Sequence, residues 1–149
     1  MSTMLEFKIK RFDALSSAEV YAVLQLRSTV FVVEQNCVYQ DIDGKDQKAL
    51  HVLGESEGKL VAYARLFAPG DYFDQASIGR VVVHPDFRDR KWGHDLMTES
   101  ILAITQYFSA ENIEISAQQY LQKFYESHGF VQTSEMYLED DIPHIRMQR

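Results

Sequence analysis

The chain has 149 residues, 46% of them hydrophobic and 25% charged, which is the balance of a globular protein rather than a disordered or fibrous one. Its 22 acidic and 15 basic residues give a net charge of -7, which disfavours binding to a nucleic-acid backbone. No apolar run is long enough to span a bilayer, and the lone cysteine, Cys37, excludes an internal disulfide.

These bulk properties predict one domain over residues 1–149, with neither nucleic acid nor a membrane as partner. Residues 1–8 lack the basic-then-apolar pattern of a secretory signal, so we expect a cytoplasmic protein.

The first half of the chain predicts a strand, a helix and a loop. Apolar and polar residues alternate over residues 5–12, the period of a half-buried strand. Ser16 and Glu19 have the spacing of a capping box, and apolar residues at helical spacing follow, so we expect a helix over about 17–33. Residues 34–50 are polar without a sustained period and predict a loop with one short helical turn.

Three further strands are predicted next. Residues 51–55 and 60–67, joined by the turn 56–59, have the pattern of a β-hairpin. Residues 76–83 form the following strand, in which Gly79 indicates a bulge.

The second half alternates helices and strands. We expect a helix ending near Ser109, a strand at 112–117, a helix at 119–128 that is capped by a left-handed Gly129, extended structure at 130–133, and a last strand or pair of strands. The order is strand, helix, three strands, helix, strand, helix, strands, an α/β protein of the α+β type.

The junction between the fourth strand and its helix has the features of an anion site. The strand Val81-Val82-Val83 stops at Pro85, and a loop with Arg88, Arg90 and Lys91 leads into the helix. The first turn of a helix has free N–H groups and a partial positive charge, which bind phosphate. The alternative is an ordinary connection whose basic residues face water.

Two segments of this chain resemble the GNAT superfamily of acyl-CoA-dependent N-acyltransferases. The pyrophosphate loop R/Q-x-x-G-x-G/A is similar to residues 88–93, which keep Arg88 and Gly93 but have Lys91 at the inner glycine. The element N-x-x-A-x-x-x-Y-E-x-x-G-F is similar to residues 118–130, with Gln118 in place of asparagine.

More narrowly, segments along nearly the whole chain resemble the ElaA family of small GNAT proteins. They are Leu26-Arg27, residues 30–37 and 39–44, residues 61–65, residues 78–81 and Ile142-Pro143-His144-Ile145.

The resemblance implies a GNAT fold, in which a twisted, mostly antiparallel sheet between helices splays apart between its fourth and fifth strands. It also implies that acetyl-CoA, the co-substrate, lies in that splay. Its pantetheine arm and pyrophosphate would contact Val81, Val82, Val83, Arg88, Asp89, Arg90, Lys91, Trp92, Gly93, His94 and Gln118.

Three residues are candidates for the catalytic chemistry. The resemblance implies that Tyr125 is the general acid, since a phenol stays protonated at neutral pH; the alternative is a packing residue. The resemblance implies that the end of the first helix lines the acceptor side, which makes Glu34 the leading base, with a pKa raised by burial, unless it bonds backbone or Arg27. His144 is the second candidate base, or else a structural hydrogen-bonding residue.

The segment Asp41-Ile42-Asp43-Gly44-Lys45-Asp46 does not fit a calcium loop, because its glycine comes too early and the twelfth position is Val52. These aspartates, with Asp140 and Asp141, form either a negative mouth that attracts a cationic amine or a solvated loop. The histidines have no metal-ligand spacing, and we predict no metal.

The favoured function is acetyl transfer from acetyl-CoA to a primary amine, by direct attack in a ternary complex. The alternatives are a non-catalytic module that senses acyl-CoA and a site for another phosphorylated ligand such as a nucleotide. The acceptor, a small molecule or a peptide amine, is left open, as is a homodimer.

Overall fold

The computed structural model describes residues 4–149 and confirms the α/β class. Residues 1–3, which belong to the segment predicted to lack a secretory signal, lie outside the described residues. The strands are β1 Glu6–Arg11, β2 Leu50–Ser56, β3 Lys59–Phe67, β4 Ser77–Val83, β5 Glu114–Gln118, β6 Val131–Gln132, β7 Tyr137–Glu139 and β8 Ile142–Gln148. The α-helices are α1 Ser17–Arg27, α2 Trp92–Phe108 and α3 Gln122–Glu126.

Strands β1 to β4 form one antiparallel sheet in chain order, and the predicted hairpin is its β2–β3 pair. Glu57 and Gly58 at the hairpin tip have φ angles of 53° and 76°, as a two-residue turn between antiparallel strands requires. Helix α1 packs Val23 and Leu26 on one face of this sheet, and α2 packs Leu96 on the other. The sheet is therefore covered by helices on both faces.

The second sheet has the order β5-β8-β6, and β7 pairs with the first half of β8. Asp140 and Asp141 form the tip of the β7–β8 hairpin, with φ angles of 51° and 63°. The predicted last pair of strands is confirmed.

The two sheets meet at one point and then separate. Ala76 and Ile113 form a parallel bridge, and the Glu114 N–H donates to the Ala76 carbonyl over 2.8 Å. Beyond that point β4 pairs only with β3, and β5 only with β8, over the described residues. This confirms the expected splay between the fourth and fifth strands.

The first helix follows the sequence prediction closely. The Ser16 backbone N–H donates to Glu19 over 2.9 Å and the Glu19 N–H donates to the Ser16 hydroxyl over 3.1 Å, which completes the capping box. The α-helix proper ends at Arg27 and continues as a π-helical segment, Ser28–Glu34. The helical region therefore extends to Glu34, with its last seven residues in π-helical form.

The third helix is shorter than predicted. Gln119–Leu121 form a 3-10 turn and only Gln122–Glu126 are α-helical. Gly129 has a φ of 89°, and the Phe130 and Gly129 N–H groups donate to the Tyr125 and Glu126 carbonyls. This hydrogen-bond pattern is a Schellman motif, so the left-handed cap at Gly129 is confirmed.

Strand β4 contains the predicted bulge. Its register with β3 shifts between the pairs Gly79–Arg65 and Val82–Tyr63, where β4 has one extra residue. The residue with positive φ is Arg80, at 50°, rather than Gly79. The bulge therefore re-aims the Arg80 side chain at the middle of the strand.

Candidate active site

A cavity of about 540 Å³ fills the splay between β4 and β5. Strand β4, the start of α2, strand β5, helix α3 and the β7–β8 hairpin all contribute to its walls. Of the predicted site residues, it brings together Val81, Val82, Val83, Arg88, Lys91, Gly93, His94, Gln118, Tyr125 and His144.

The edge of β4 that faces the cavity has backbone groups that do not pair with β3. The His84 N–H donates to the Val61 carbonyl of β3 over 2.7 Å, so the preceding residue, Val83, directs its N–H and C=O away from β3. The Arg88 Nε donates to that Val83 carbonyl over 3.1 Å. The edge can therefore pair with an extended ligand that carries amide groups.

The start of α2 presents unpaired amides to the same cavity. Lys91 precedes the helix with a φ of 59°, a left-handed conformation that glycine adopts more easily. The N–H of His94 donates to the Lys91 carbonyl over 3.2 Å, whereas those of Trp92 and Gly93 have no backbone acceptor within residues 4–149. Together with the Lys91 charge, these amides fit a phosphate group.

Gly93 has room for a methyl group as far as the protein is concerned. A Cβ built there lies 3.5 Å from the Phe124 ring, an ordinary van der Waals distance. Packing within the protein therefore does not require glycine at this position.

Glu34 does not line the cavity, and its side chain pairs with Arg88. The Arg88 Nη1 and Nη2 groups donate to the two carboxylate oxygens over 2.7 and 2.6 Å. These hydrogen bonds hold the pKa of the Glu34 carboxyl below its usual value. The expectation of a raised pKa at Glu34 is therefore wrong, and its partner is neither backbone nor Arg27.

Three predicted cofactor residues have side chains outside the cavity lining. The Arg90 guanidinium lies 4.8 Å from the centre of the Phe87 ring and 5.3 Å from that of Trp92. Trp92 is 6% exposed and stacks on Phe87. Asp89 is exposed and lies 3.7 Å from Arg90. The Arg90 and Trp92 side chains thus pack against Phe87 within the loop, outside the cavity lining.

His94 is paired with a histidine that the sequence analysis did not select. Its Nδ1 lies 2.9 Å from the His128 Nε2, so one ring donates and the other accepts. Burial and the neighbouring His94 lower the pKa of His128. Both rings lie beside the Phe124 ring, and His94 and Phe124 line the cavity.

Gln118 at the end of β5 joins the second sheet to the end of the first helix. Its Nε2 donates to the Gln35 Oε1 over 3.2 Å, and the Gln35 Nε2 donates back over 3.1 Å. The reciprocal amide pair bridges the cavity. An amide-bearing ligand could satisfy either side chain in the same way.

Tyr125 on α3 lies at the inner wall of the cavity. It is 7% exposed, between Phe124 and Phe130, and makes edge contacts with both rings. Burial raises the pKa of its phenol well above the usual value. The hydroxyl makes no hydrogen bond to the rest of residues 4–149, so its proton is available to a ligand.

His144 on β8 is 6% exposed and also faces the cavity. Its Nδ1 lies 2.7 Å from the Ile142 carbonyl, which can only accept, so Nδ1 carries the proton. In the neutral ring Nε2 then has a free lone pair, 3.5 Å from a Glu139 oxygen. The Ser116 hydroxyl donates to the other Glu139 oxygen over 3.1 Å.

The aspartates 41, 43 and 46 do not form a negative mouth, which corrects that expectation. Arg27, which is fully buried, donates to Asp41 over 2.9 Å and to Asp46 over 2.7 Å. The remaining contacts are Arg65 with Asp43 and Asp46, and Arg80 with Asp41 and Asp43. We call these six residues the arginine–aspartate cluster. It ties the loop after the first helix to β3 and β4.

Sequence reasoning missed Glu139, His128 and the pairing of the three aspartates with Arg27, Arg65 and Arg80. Charged Arg65 within an otherwise apolar strand is a signal for a buried ion pair. A two-residue turn at Asp140-Asp141 would have placed Glu139 and His144 on one face of the last hairpin, because side chains alternate along a strand. The aromatic residues Phe67, Tyr72 and Phe73 also line the cavity and have no comparable signal.

Comparison with known proteins places the chain in a family. Residues 15–149 match the acetyltransferase (GNAT) domain, so the chain belongs to the GNAT family of acetyltransferases, which use acyl-CoA. Protein ElaA of Escherichia coli strain K12 is 44% identical, over 98% of this chain and 97% of ElaA. The predicted resemblance to GNAT proteins and to ElaA is confirmed.

Solved structures of similar proteins have the same fold. The crystal structure of Escherichia coli ElaA is 43% identical with a TM-score of 0.91, covering 98% of this chain and 99% of that one. An acyl-CoA N-acyltransferase from Pseudomonas aeruginosa is 42% identical with a TM-score of 0.91, at the same coverage. The fold is therefore that of GNAT acyltransferases.

Proposed function

We propose that this protein is an N-acetyltransferase that moves an acetyl group from acetyl-CoA to a primary amine within a ternary complex. The observation that carries the proposal is the cavity between β4 and β5. It combines a free strand edge, a helix start with free amides and the Tyr125 phenol. An amide-bearing thioester with a pyrophosphate needs these three kinds of group.

The β4 edge and the start of α2 are proposed to hold the donor. Val81 and Val83 offer backbone groups to the pantetheine amides, and Trp92 and Gly93 offer N–H groups to the pyrophosphate. Lys91 adds a cation at the same place. Arg88 has five N–H donors and uses three of them for Val83 and Glu34, so two are left for phosphate.

Tyr125 is proposed as the general acid. The amine nitrogen attacks the thioester carbonyl, the C–N bond forms, and the C–S bond breaks to release CoA. The departing sulfur needs a proton, which the Tyr125 hydroxyl can supply because its raised pKa keeps it protonated at neutral pH. The same hydroxyl is then reprotonated from solvent.

Of the two candidate bases, we propose His144. Its Nε2 lone pair faces the cavity, whereas the Glu34 carboxylate pairs with Arg88 and is a weak base because its pKa is lowered. A base must be able to reach the proton of the attacking nitrogen. His144 meets this geometric requirement better than Glu34.

The test is release of free thiol from acetyl-CoA with a panel of small amines and peptides with a free N-terminus or lysine. The expected result is amine-dependent thiol release. Tight CoA binding without thiol release for any amine would support the acyl-CoA sensor instead. Binding of a nucleotide but not CoA, measured by calorimetry, would contradict both.

Three further assignments are proposals of the same kind. We propose that residues 1–149 form one N-acetyltransferase domain, that it works in the cytoplasm where acetyl-CoA is available, and that it can form a homodimer. Sedimentation of the purified protein measures the last of these. None of the helices within residues 4–149 combines the length and the apolar character needed to cross a bilayer.

A further inference from the structure

One end of the cavity is lined by Ser116, Glu139 and His144 of the second sheet, and Tyr137 lies behind them. Tyr137 and Glu139 belong to β7, His144 to β8 and Ser116 to β5. The Tyr137 and Ser116 hydroxyls lie 2.5 Å apart, and Ser116 donates to Glu139. Since Ser116 has one proton, Tyr137 is the donor to Ser116. The chain of hydrogen bonds therefore ends at the Glu139 carboxylate.

Glu139 and His144 bring a carboxylate oxygen and an imidazole nitrogen close together at this end of the cavity. The His144 Nδ1 proton is committed to the Ile142 carbonyl, and its Nε2 receives no hydrogen bond within residues 4–149. Nε2 lies 3.5 Å from the Glu139 Oε2. A ligand with at least two N–H groups can donate to both of these atoms.

The charged side chains around this end of the cavity favour binding of a positively charged ligand. Three arginines are close to it, and each has a carboxylate partner: Arg65 with Asp43 and Asp46, Arg80 with Asp41 and Asp43, and Arg146 with Glu114. The two lining carboxylates without an arginine or lysine partner, among the residues described, are Glu139 and Asp140. A ligand carboxylate would meet repulsion from both.

An aromatic wall stands beside these acids. Phe67 and Tyr72 stack with ring centres 5.0 Å apart, and Tyr72 meets Phe73 edge to face at 4.7 Å. The Arg146 guanidinium, opposite Ser116 across β5 and β8, lies 3.9 Å from the Phe73 ring centre. The wall and the Ser116–Glu139 group therefore share one end of the cavity.

We propose that Glu139 and His144 bind the acceptor as a primary ammonium ion on an aromatic carbon skeleton without a carboxylate. This acceptor class rests on the proposed function. Glu139 holds the ammonium group by charge, and His144 Nε2 accepts one of its protons and passes it to solvent, which leaves the neutral amine that attacks the thioester. The second proton, which the nitrogen loses as the amide forms, then goes to His144 Nε2. The ring of the acceptor packs on Phe67, Tyr72 and Phe73.

The experiment compares three matched probes, 2-phenylethylamine, phenylalanine and 2-phenylethanol, by calorimetry on the protein saturated with CoA. These probes share a ring and differ in the carboxylate and the ammonium group. We expect 2-phenylethylamine to bind at least tenfold more tightly than either of the others. The variant Glu139→Gln should weaken its binding at least fivefold while leaving CoA affinity unchanged.

The control is Glu135→Gln, which removes the same charge from an exposed residue outside the cavity lining. It should change amine binding less than twofold. The proposal is overturned if phenylalanine or 2-phenylethanol binds as tightly as the amine, if none of the probes binds, or if both variants act alike. Binding needs no turnover, so amine binding without thiol release would contradict the proposed function and not the ammonium site.

Discussion

Lys91 combines an unfavourable backbone conformation with a useful charge. The left-handed backbone conformation of Lys91 costs a residue with a Cβ about 1 kcal/mol of folding free energy. Glycine avoids this strain but loses more backbone entropy on folding, so the two effects partly cancel. We expect Lys91→Gly to be as stable as the wild type or up to about 1 kcal/mol more stable in urea unfolding. Because it loses a cation near the pyrophosphate, its affinity for CoA should fall about threefold to tenfold.

Lys91→Asn is the matched control, since asparagine also tolerates the left-handed region but has no charge. It should weaken CoA binding to the same extent. Wild-type affinity in both variants would show that the charge does not act on the donor.

The Glu34–Arg88 pair allows the two candidate bases to be separated. With His144 as base, Glu34→Gln keeps kcat within about threefold, because the lost charge lies outside the cavity lining. CoA should bind more tightly, since Arg88 is no longer neutralised. Under the same assay, His144→Gln should lower kcat at least tenfold. A large kcat loss in Glu34→Gln, with little in His144→Gln, would reverse the assignment.

The sequence predicted the structural roles of those residues whose contacts are with near neighbours in the chain. The Ser16 cap, the Gly129 cap and the basic turn at Lys91 depend on near neighbours, and each is where the sequence placed it. The pairing of Glu34 with Arg88 joins residues 54 positions apart. Such a contact depends on how the helix end and β4 meet, which no local pattern specifies.

At the level of elements, the arginine–aspartate cluster fixes the loop after the first helix. Arg27 is fully buried and bonds Asp41 and Asp46 from that loop. Removing one member of a buried pair leaves an uncompensated charge, which costs about 3 to 5 kcal/mol. We therefore expect Arg27→Met to lose about 3 kcal/mol or more of unfolding free energy in urea.

The control for this prediction is Lys10→Met. Lys10 pairs with Glu19 at 3.0 Å, but its side chain is 33% exposed, so its loss should cost less than about 1 kcal/mol. Equal losses in the two variants would mean that burial of the cluster does not determine its contribution.

The elements themselves were mostly predictable, since their periods of two and 3.6 residues are local. The exceptions are instructive. The helix after β5 is split into a 3-10 turn and a short α-helix, although its apolar spacing fits one longer helix. The sequence predicted that the acidic loop faces solvent or an amine. Its arginine partners lie on α1, β3 and β4, too far along the chain for a local pattern to reveal them. Those contacts exist only once the sheet has formed.

For the whole molecule, stability should fall towards acid pH. Burial lowers the pKa of His51 below 6.5, so the unfolded chain binds more protons there and stability is lost as the pH falls below about 6.5. Burial opposes ionisation of Asp43 and Asp46, but their arginine partners outweigh it and lower both pKa values below 3.8. Their contribution is present above about pH 4 and is lost below it.

Urea unfolding at a series of pH values measures this. The unfolding free energy should begin to decrease between pH 6.5 and 5 and decrease more steeply below pH 4.5. The variant His51→Gln should flatten the first part only. A free energy that is constant from pH 7 to 3.5 would contradict the assigned role of these buried groups.

We propose that the cavity between β4 and β5 is an acyl-transfer site with Tyr125 as its acid. The most direct test is kcat for thiol release in Tyr125→Phe, with Tyr21→Phe, an exposed tyrosine on α1, as control. We predict that kcat falls at least 100-fold in Tyr125→Phe with unchanged CoA affinity, and stays within twofold in Tyr21→Phe. A Tyr125→Phe enzyme with kcat within threefold of the wild type would contradict the claim.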